Sequence, residues 1–175
     1  MSPNEVSEIL ISADQIRSRT IELGQQIARD YQGQELVVVG VLTGASIFVC
    51  DLIREIHVPL TLDFVSVSSY GESTRSSGEV RLIKDIGHPV EGKNILIVED
   101  IIDTGLTLRY LLESIQARHP ASVKSCVLLD KPSARKVEVP VDYCGFQIED
   151  KFVVGYGLDY AGYYRNLPYI GILQT

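Results

Sequence analysis

Tryptophan is absent from these 175 residues, methionine occurs once and cysteine three times. Cys50, Cys126 and Cys144 are odd in number, widely spaced and form no CxxC pair, which excludes a disulfide framework. Each lies in an apolar stretch and is expected to be a buried free thiol. His57, His88 and His119 are equally scattered, without the close His/Cys/Asp spacing of structural zinc, and are assigned no chemistry. Long hydrophobic runs are missing too. Leu36 to Val39 is among the longest, far below the roughly 20 residues of a membrane span, and the opening MSPNEVSEIL lacks a basic stretch followed by an apolar run. These absences predict a cytoplasmic chain with no membrane partner. Basic charge is in deficit, with 16 Lys+Arg against 23 Asp+Glu and a net charge of −7. Such a balance opposes indiscriminate attraction to nucleic acid, so no nucleic-acid partner is expected. A small anion is still admissible, because backbone N–H groups and a divalent cation can hold phosphate without a basic surface.

What is present suffices for a core: 45% of the residues are hydrophobic, so residues 1–175 are read as a single domain, and disordered or collagen-like classes are excluded. Ser12 with Gln15 makes a capping box, and Ile16, Thr20, Leu23, Ile27 and Tyr31 recur at helical spacing, predicting an opening helix that ends near Gly33. Leu36–Leu42 is a β-branched strand leading through Thr43-Gly44-Ala45 into a helix with Phe48, Leu52 and Ile53. Further strands are predicted over Leu60–Ser68, Val80–Ile83, Asn94–Val98 and Ser122–Leu129, with shorter ones over Tyr143–Ile148, Phe152–Val154 and Tyr169–Leu173. A helix with Leu108, Leu111, Leu112 and Ile115 follows the Asn94–Val98 strand, and Pro120 closes it. The polar SYGESTRSS of residues 69–77 reads as a mobile loop. Strands alternating with helices predict an α/β domain built on a mainly parallel sheet.

In such a sheet ligands bind at the carboxyl ends of strands, which directs attention to the residues after Val98. Glu99, Asp100 and Asp103 would repel one another unless a cation or a set of hydroxyls receives them. Thr104, Gly105 and Thr107 then supply hydroxyls and free N–H groups where a helix begins, an arrangement that cradles phosphate. Asp103 and Thr104 alone would read as a helix cap, but a cap does not account for Glu99 and Asp100. Diol, cation and phosphate together describe a sugar phosphate. Nucleoside-triphosphate and dinucleotide folds are excluded, since Gly44 is followed by Ala45-Ser46 rather than Lys-Ser/Thr and no GxGxxG follows a strand.

The runs VVVGVLTGA, SSYGE, ILIVEDIIDTGLT, LLDKPSARK and DKFVVGYGLDYAGYYRNLPYIG, in that order, cover nearly the whole chain and resemble the bacterial hypoxanthine-guanine phosphoribosyltransferases. VEDIIDTGLT is similar to the phosphoribosyl-pyrophosphate (PRPP) motif of the wider class, and DKFVVGYGLDY is particular to the branch that takes 6-oxopurines. The resemblance implies the type I phosphoribosyltransferase fold, with a small hood formed by the terminal segments and a mobile loop. It implies magnesium-dependent transfer of the phosphoribosyl group to N9 of hypoxanthine or guanine, giving IMP or GMP and pyrophosphate. It also implies a homodimer or homotetramer.

By the same resemblance, Glu99 and Asp100 would face the ribose hydroxyls and magnesium, and Asp103 would move the proton of purine N7. Backbone from Asp103 through Thr104, Gly105, Leu106 and Thr107 would bind the 5′-phosphate. Leu42, Thr43 and Gly44 would form the pyrophosphate loop, with a non-proline cis peptide between the first two. Many members carry Lys or Arg where this chain has Thr43, so backbone, magnesium and Arg165 would hold pyrophosphate instead. Lys131 would donate to purine O6 and thereby oppose adenine, Phe152 would stack on the base, and the backbone of Val153 would read its Watson–Crick edge. Asp159 would hold a second magnesium ion, directly or through water; alone, Asp159 and Arg165 would read as a surface ion pair. Ser69 and Tyr70 would form the tip of a loop that closes over the site. Two rivals stand beside this reading: a transferase for another base such as xanthine, and a PRPP-sensing regulator that binds nucleic acid, which the negative charge and the retained Asp103 oppose.

Overall fold

The structure, a computed structural model, describes residues 6–69 and 79–174. Six strands form the main sheet in the order β4-β3-β2-β5-β6-β7, where β2 is Leu36–Leu42, β3 Leu60–Ser69, β4 Val80–Lys84, β5 Asn94–Ile102, β6 Ser122–Asp130 and β7 Tyr143–Gln147. All neighbours are parallel except β3 and β4. A second sheet, β1-β9-β8, joins Val6–Ile11 to Ile170–Leu173 and Val153–Val154. This is the hood expected of the terminal segments. The loop expected to complete it, with Tyr70, lies outside the described residues.

β2 is buried over most of its length because both faces are covered, as its unbroken β-branched run LVVVGVL requires. On one face Leu36, Val38, Leu96, Val98, Cys126 and Leu128 pack against Ile16, Leu23 and Ile27 of α1 (Ala13–Asp30) and Phe48, Val49 and Leu52 of α2 (Ser46–Ile53). On the other, Val37, Val39, Ile95, Ile97 and Val127 meet Leu108, Leu111 and Ile115 of α3 (Leu106–Gln116). The capping box holds: Gln15 N–H donates to Ser12 Oγ at 3.2 Å, and Ser12 N–H to Gln15 Oε1 at 2.8 Å. Among the described residues no helix is long and apolar enough to cross a membrane.

Several expectations are corrected. β5 runs to Ile102 rather than Val98, so Glu99 and Asp100 belong to the strand, held there by pairing with β6 through Ile102 opposite Asp130. Phe152 precedes β8 instead of opening it. Cys126 is buried, but Cys144 is partly exposed and Cys50 is exposed, because α2 turns Phe48, Val49 and Leu52 inward.

His88 also has a task. Asp63 is buried on β3, and its carboxylate accepts hydrogen bonds from Phe64 N–H, Gly87 N–H and His88 Nδ1, all at 2.8 Å, with Lys84 Nζ at 3.6 Å. Burial alone would raise this carboxyl, but the three hydrogen bonds and the Lys84 charge outweigh it and bring it down to about 2. A lowered carboxyl adds stability that is complete above its unfolded value near 4 and is lost as pH falls through about 2. Asp63→Asn is expected to cost roughly 1–2 kcal/mol in urea unfolding at pH 7, after allowance for the exposure of His88 and Lys84, with the difference shrinking below pH 4. A deficit that stays constant down to pH 2.5 would contradict this account.

Candidate active site

Because β2, β5 and β6 are parallel, their carboxyl ends at Leu42, Ile102 and Asp130 lie along one edge of the sheet, where an open α/β sheet presents its binding crevice. A cleft of about 200 Å³ there is lined by Leu42, Gly44, Glu99, Asp100, Asp103, Gly105 and Thr107, among others. The cleft thus gathers seven of the residues singled out from sequence. Thr43 and Thr104 lie in the two loops that follow β2 and β5, Leu106 opens α3, and Ser69 ends β3.

Glu99 is only 7% exposed. Burial and the negative charge of Asp100 raise its carboxyl well above the usual range. Burial also raises Asp100, against the hydrogen bond accepted from Ile101 N–H at 2.7 Å and the positive charge of Arg165. The pair resists carrying two charges by itself and favours a cation or ligand hydroxyls as company.

Gly44 leaves no room for a side chain: a Cβ there would collide with the Asp100 carboxylate. The peptide between Leu42 and Thr43 is cis. On the other side of the cleft, β5 gives way to α3 through Gly105, whose φ of 85° suits glycine. The carbonyls of Ile102, Asp103 and Thr104 are all held by the segment after β6: Lys131 N–H donates to Ile102 O at 2.9 Å, Arg135 Nη1 to Asp103 O at 3.1 Å and Lys136 N–H to Thr104 O at 2.9 Å. Thr104 N–H donates to Asp103 Oδ1 at 2.7 Å, and Leu106 N–H to Thr104 Oγ1 at 3.4 Å. The first turn of α3 has no intrahelical acceptors for its N–H groups, so an incoming anion finds donors at hand.

Among the described residues, Lys131, Phe152, Val153, Asp159 and Arg165 are not in the lining of this cleft. Lys131 has a side chain 11% exposed, its Nζ 3.5 Å from Asp150 Oδ1. Phe152 is 45% exposed and stands edge-on to Tyr160, centroids 5.6 Å apart. Val153 is buried in β8. Asp159 forms the ion pair with Arg165, at 3.1 Å, and its other oxygen accepts Gly162 N–H at 2.8 Å. Arg165 Nη1 also donates to Gly157 O at 2.6 Å. Gly157, which sequence reasoning left without a role, brings this region to the cleft: with φ of 100°, it presses on the Gly44 carbonyl where a Cβ would collide. Arg135 was missed as well, since an arginine four residues after a lysine reads as a solvated charge.

A larger cavity of about 490 Å³ lies between α1, α2 and residues 165–168, with Asp51 and Tyr156 in its lining. There Asp51 is already engaged by the Tyr156 hydroxyl and by Arg54. The smaller cleft holds the converging acids and helix N-terminus, and the chemistry is placed there.

A family model described as phosphoribosyl transferase domain matches residues 11–161. The hypoxanthine-guanine phosphoribosyltransferase of Bacillus subtilis (strain 168) is 52% identical over 174 residues, covering 99% of this chain and 97% of that protein. A bifunctional protein TilS/HprT of Listeria monocytogenes is 52% identical over 171 residues; the match covers 98% of this chain, which spans only 26% of that longer protein. A crystal structure of a hypoxanthine phosphoribosyltransferase from Staphylococcus aureus superimposes with a TM-score of 0.94 at 48% identity, covering 98% of this chain and 93% of the other. With the cleft at the strand ends and the likeness running along nearly its full length, this chain belongs to the phosphoribosyltransferase family, in its hypoxanthine-guanine branch.

Proposed function

We propose that this protein transfers the phosphoribosyl group of PRPP to N9 of hypoxanthine or guanine, forming IMP or GMP and releasing pyrophosphate. The observation that carries the reading is the cleft in which Glu99, Asp100 and Asp103 meet Gly44 and the first turn of α3 at the ends of adjacent parallel strands. The N–H groups at the start of α3, with the Thr104 and Thr107 hydroxyls, bind the 5′-phosphate. Backbone of Leu42–Gly44, with Arg165, takes the pyrophosphate end, Thr43 supplying no charge of its own. Glu99 and Asp100 face the ribose hydroxyls. As the bond from C1′ to pyrophosphate oxygen breaks, with its electron pair leaving on pyrophosphate, N9 forms the new bond to C1′ and Asp103 accepts the proton from N7.

The donor set at Glu99 and Asp100 fits magnesium: two adjacent carboxylates in the lining of the cleft offer hard oxygen ligands. Magnesium is commonly held in this way, by one or two carboxylates with waters and substrate oxygens. When bound, the ion supplies charge neutralisation for the departing pyrophosphate. Asp159 has both oxygens engaged, so a contact through water disturbs neither bond there. Assembly as a homodimer or homotetramer is part of the reading.

Base choice rests on Lys131, whose ammonium donates to O6, with Phe152 stacking and Val153 backbone reading position 2. Adenine opposes donor to donor. Turnover with PRPP and magnesium is expected for hypoxanthine and guanine, weaker for xanthine, whose carbonyl at position 2 meets a backbone acceptor, and absent for adenine and uracil, when absorbance is followed for each base. Lys131→Ala is expected to lower kcat/KM for hypoxanthine about 30-fold or more, leaving O6 unread. Preference for xanthine in the parent protein would move it to the first rival. Absence of any turnover, with salt-sensitive nucleic-acid binding, would move it to the second.

A further inference from the structure

We propose that Arg135 is a positioning residue of the transfer reaction, acting through the backbone of Asp103 rather than on any substrate; this rests on the assignment of Asp103 as the proton acceptor. Arg135 comes from the short 3-10 turn region after β6, at the C-cap of Pro132–Ala134. Its guanidinium makes two contacts at once. Nη2 donates to Asp130 Oδ1 at 2.7 Å, and Nη1 donates to Asp103 O at 3.1 Å. Asp130 is a firm anchor, since it ends β6, which is paired on both sides by β5 and β7, is 6% exposed and has its carbonyl taken by Ile148 N–H at 2.8 Å. The stem of Arg135 lies against the turn itself, for a Cβ on Gly105 would stand 3.1 Å from Arg135 Cδ.

The neighbouring bonds explain why this one contact matters. Ile102 O and Thr104 O are held by backbone N–H groups of Lys131 and Lys136, so substitution cannot remove those bonds. Asp103 O, between them, is held by a side chain. Asp103 is exposed, and among the described residues its one other hydrogen bond is that of its own Oδ1, which accepts Thr104 N–H. A planar fork fixed at one end by a buried carboxylate therefore sets the peptide that carries the reactive carboxyl. Lysine has no such fork and reaches one acceptor at a time.

The test is a double-mutant cycle in steady-state kinetics, with melting temperature recorded for each protein. Arg135→Ala is expected to lower kcat about 30-fold with the KM for hypoxanthine changed less than about 3-fold, because misplacing a catalytic group costs turnover more than binding. In an Asp103→Asn background the same change is expected to lower kcat less than about 3-fold, because the group it positions no longer takes a proton. Arg135→Lys, retaining one bond, is expected between the parent and Arg135→Ala. Should Arg135→Ala fail to fold with Asp130 unpaired, Arg135→Lys is carried through the same cycle. Equal losses in both backgrounds would overturn the proposal and leave Arg135 a stabiliser of the turn. Inactivity of the parent protein with PRPP and hypoxanthine would instead defeat the functional reading on which it rests.

Discussion

Asp103→Asn is expected to lower kcat about a hundred- to a thousand-fold and to leave the melting temperature within about 2 °C. The change is isosteric, and an asparagine oxygen accepts the Thr104 N–H as Asp103 Oδ1 does at 2.7 Å, so the turn between β5 and α3 keeps its shape. What is lost is the capacity to accept a proton. The substituted residue is exposed, so no buried contact is broken. The KM for PRPP should change little, because the donors to the 5′-phosphate are the N–H groups that follow. A variant retaining more than about a third of parental kcat would remove Asp103 from the proton transfer.

Gly157→Ala is expected to have a comparable effect on activity by a different route, together with a large cost in stability. With φ of 100° any side chain is strained, and a Cβ would strike the Gly44 carbonyl, a backbone atom unable to swing aside. The same residue holds Arg165, whose backbone O accepts Gly157 N–H at 3.0 Å while its Nη1 donates to Gly157 O. One methyl group thus disturbs both parts of the proposed pyrophosphate site. A loss of about 3 kcal/mol, or about 9 °C in melting temperature, is expected with a fall of about a hundred-fold in kcat/KM for PRPP. Gly162→Ala is the control: its φ is 85° but nothing lies within 4 Å of the added Cβ, so strain of about 1 kcal/mol is expected with no kinetic change. Equal effects of the two substitutions would show that backbone strain alone, and not the approach to Gly44, governs this region.

Much of the sheet could be read from the sequence because its central strands carry their own signal. Leu36–Leu42 matches β2 residue for residue, since a strand covered on both faces is an unbroken β-branched run. β5 is longer than its apolar segment suggests. Carboxylates are poor strand residues, so Glu99 and Asp100 read as its end, yet pairing with β6 continues past them. β1 went unpredicted because its partner, β9, lies at the opposite end of the chain and supplies the pairing that VSEILI lacks alone. Cys50 was misjudged for a related reason: when nearly every residue of SIFVCDLI is apolar, periodicity cannot say which side faces out.

The acidic and phosphate loops of the site were legible as chemistry, since three carboxylates and a small-residue helix start in one run have few structural uses. Their companions were legible only through resemblance. Lys131, Asp159 and Arg165 have no local feature that separates them from surface charges, and two of them do form an ion pair. Gly157 and Arg135 act by approach across the fold, to Gly44 and to Asp103, and no spacing along the chain encodes such a contact.

The central claim is that this cleft joins a purine to a phosphoribosyl group, and product stoichiometry tests it most directly. PRPP and hypoxanthine are incubated with the protein and magnesium, and IMP and pyrophosphate are quantified together over a time course. The account predicts that both appear at the same rate and in equal molar amounts, and that both slow together, about a hundred-fold or more, in Asp103→Asn. Pyrophosphate released without IMP, or PRPP left unconsumed, would contradict it.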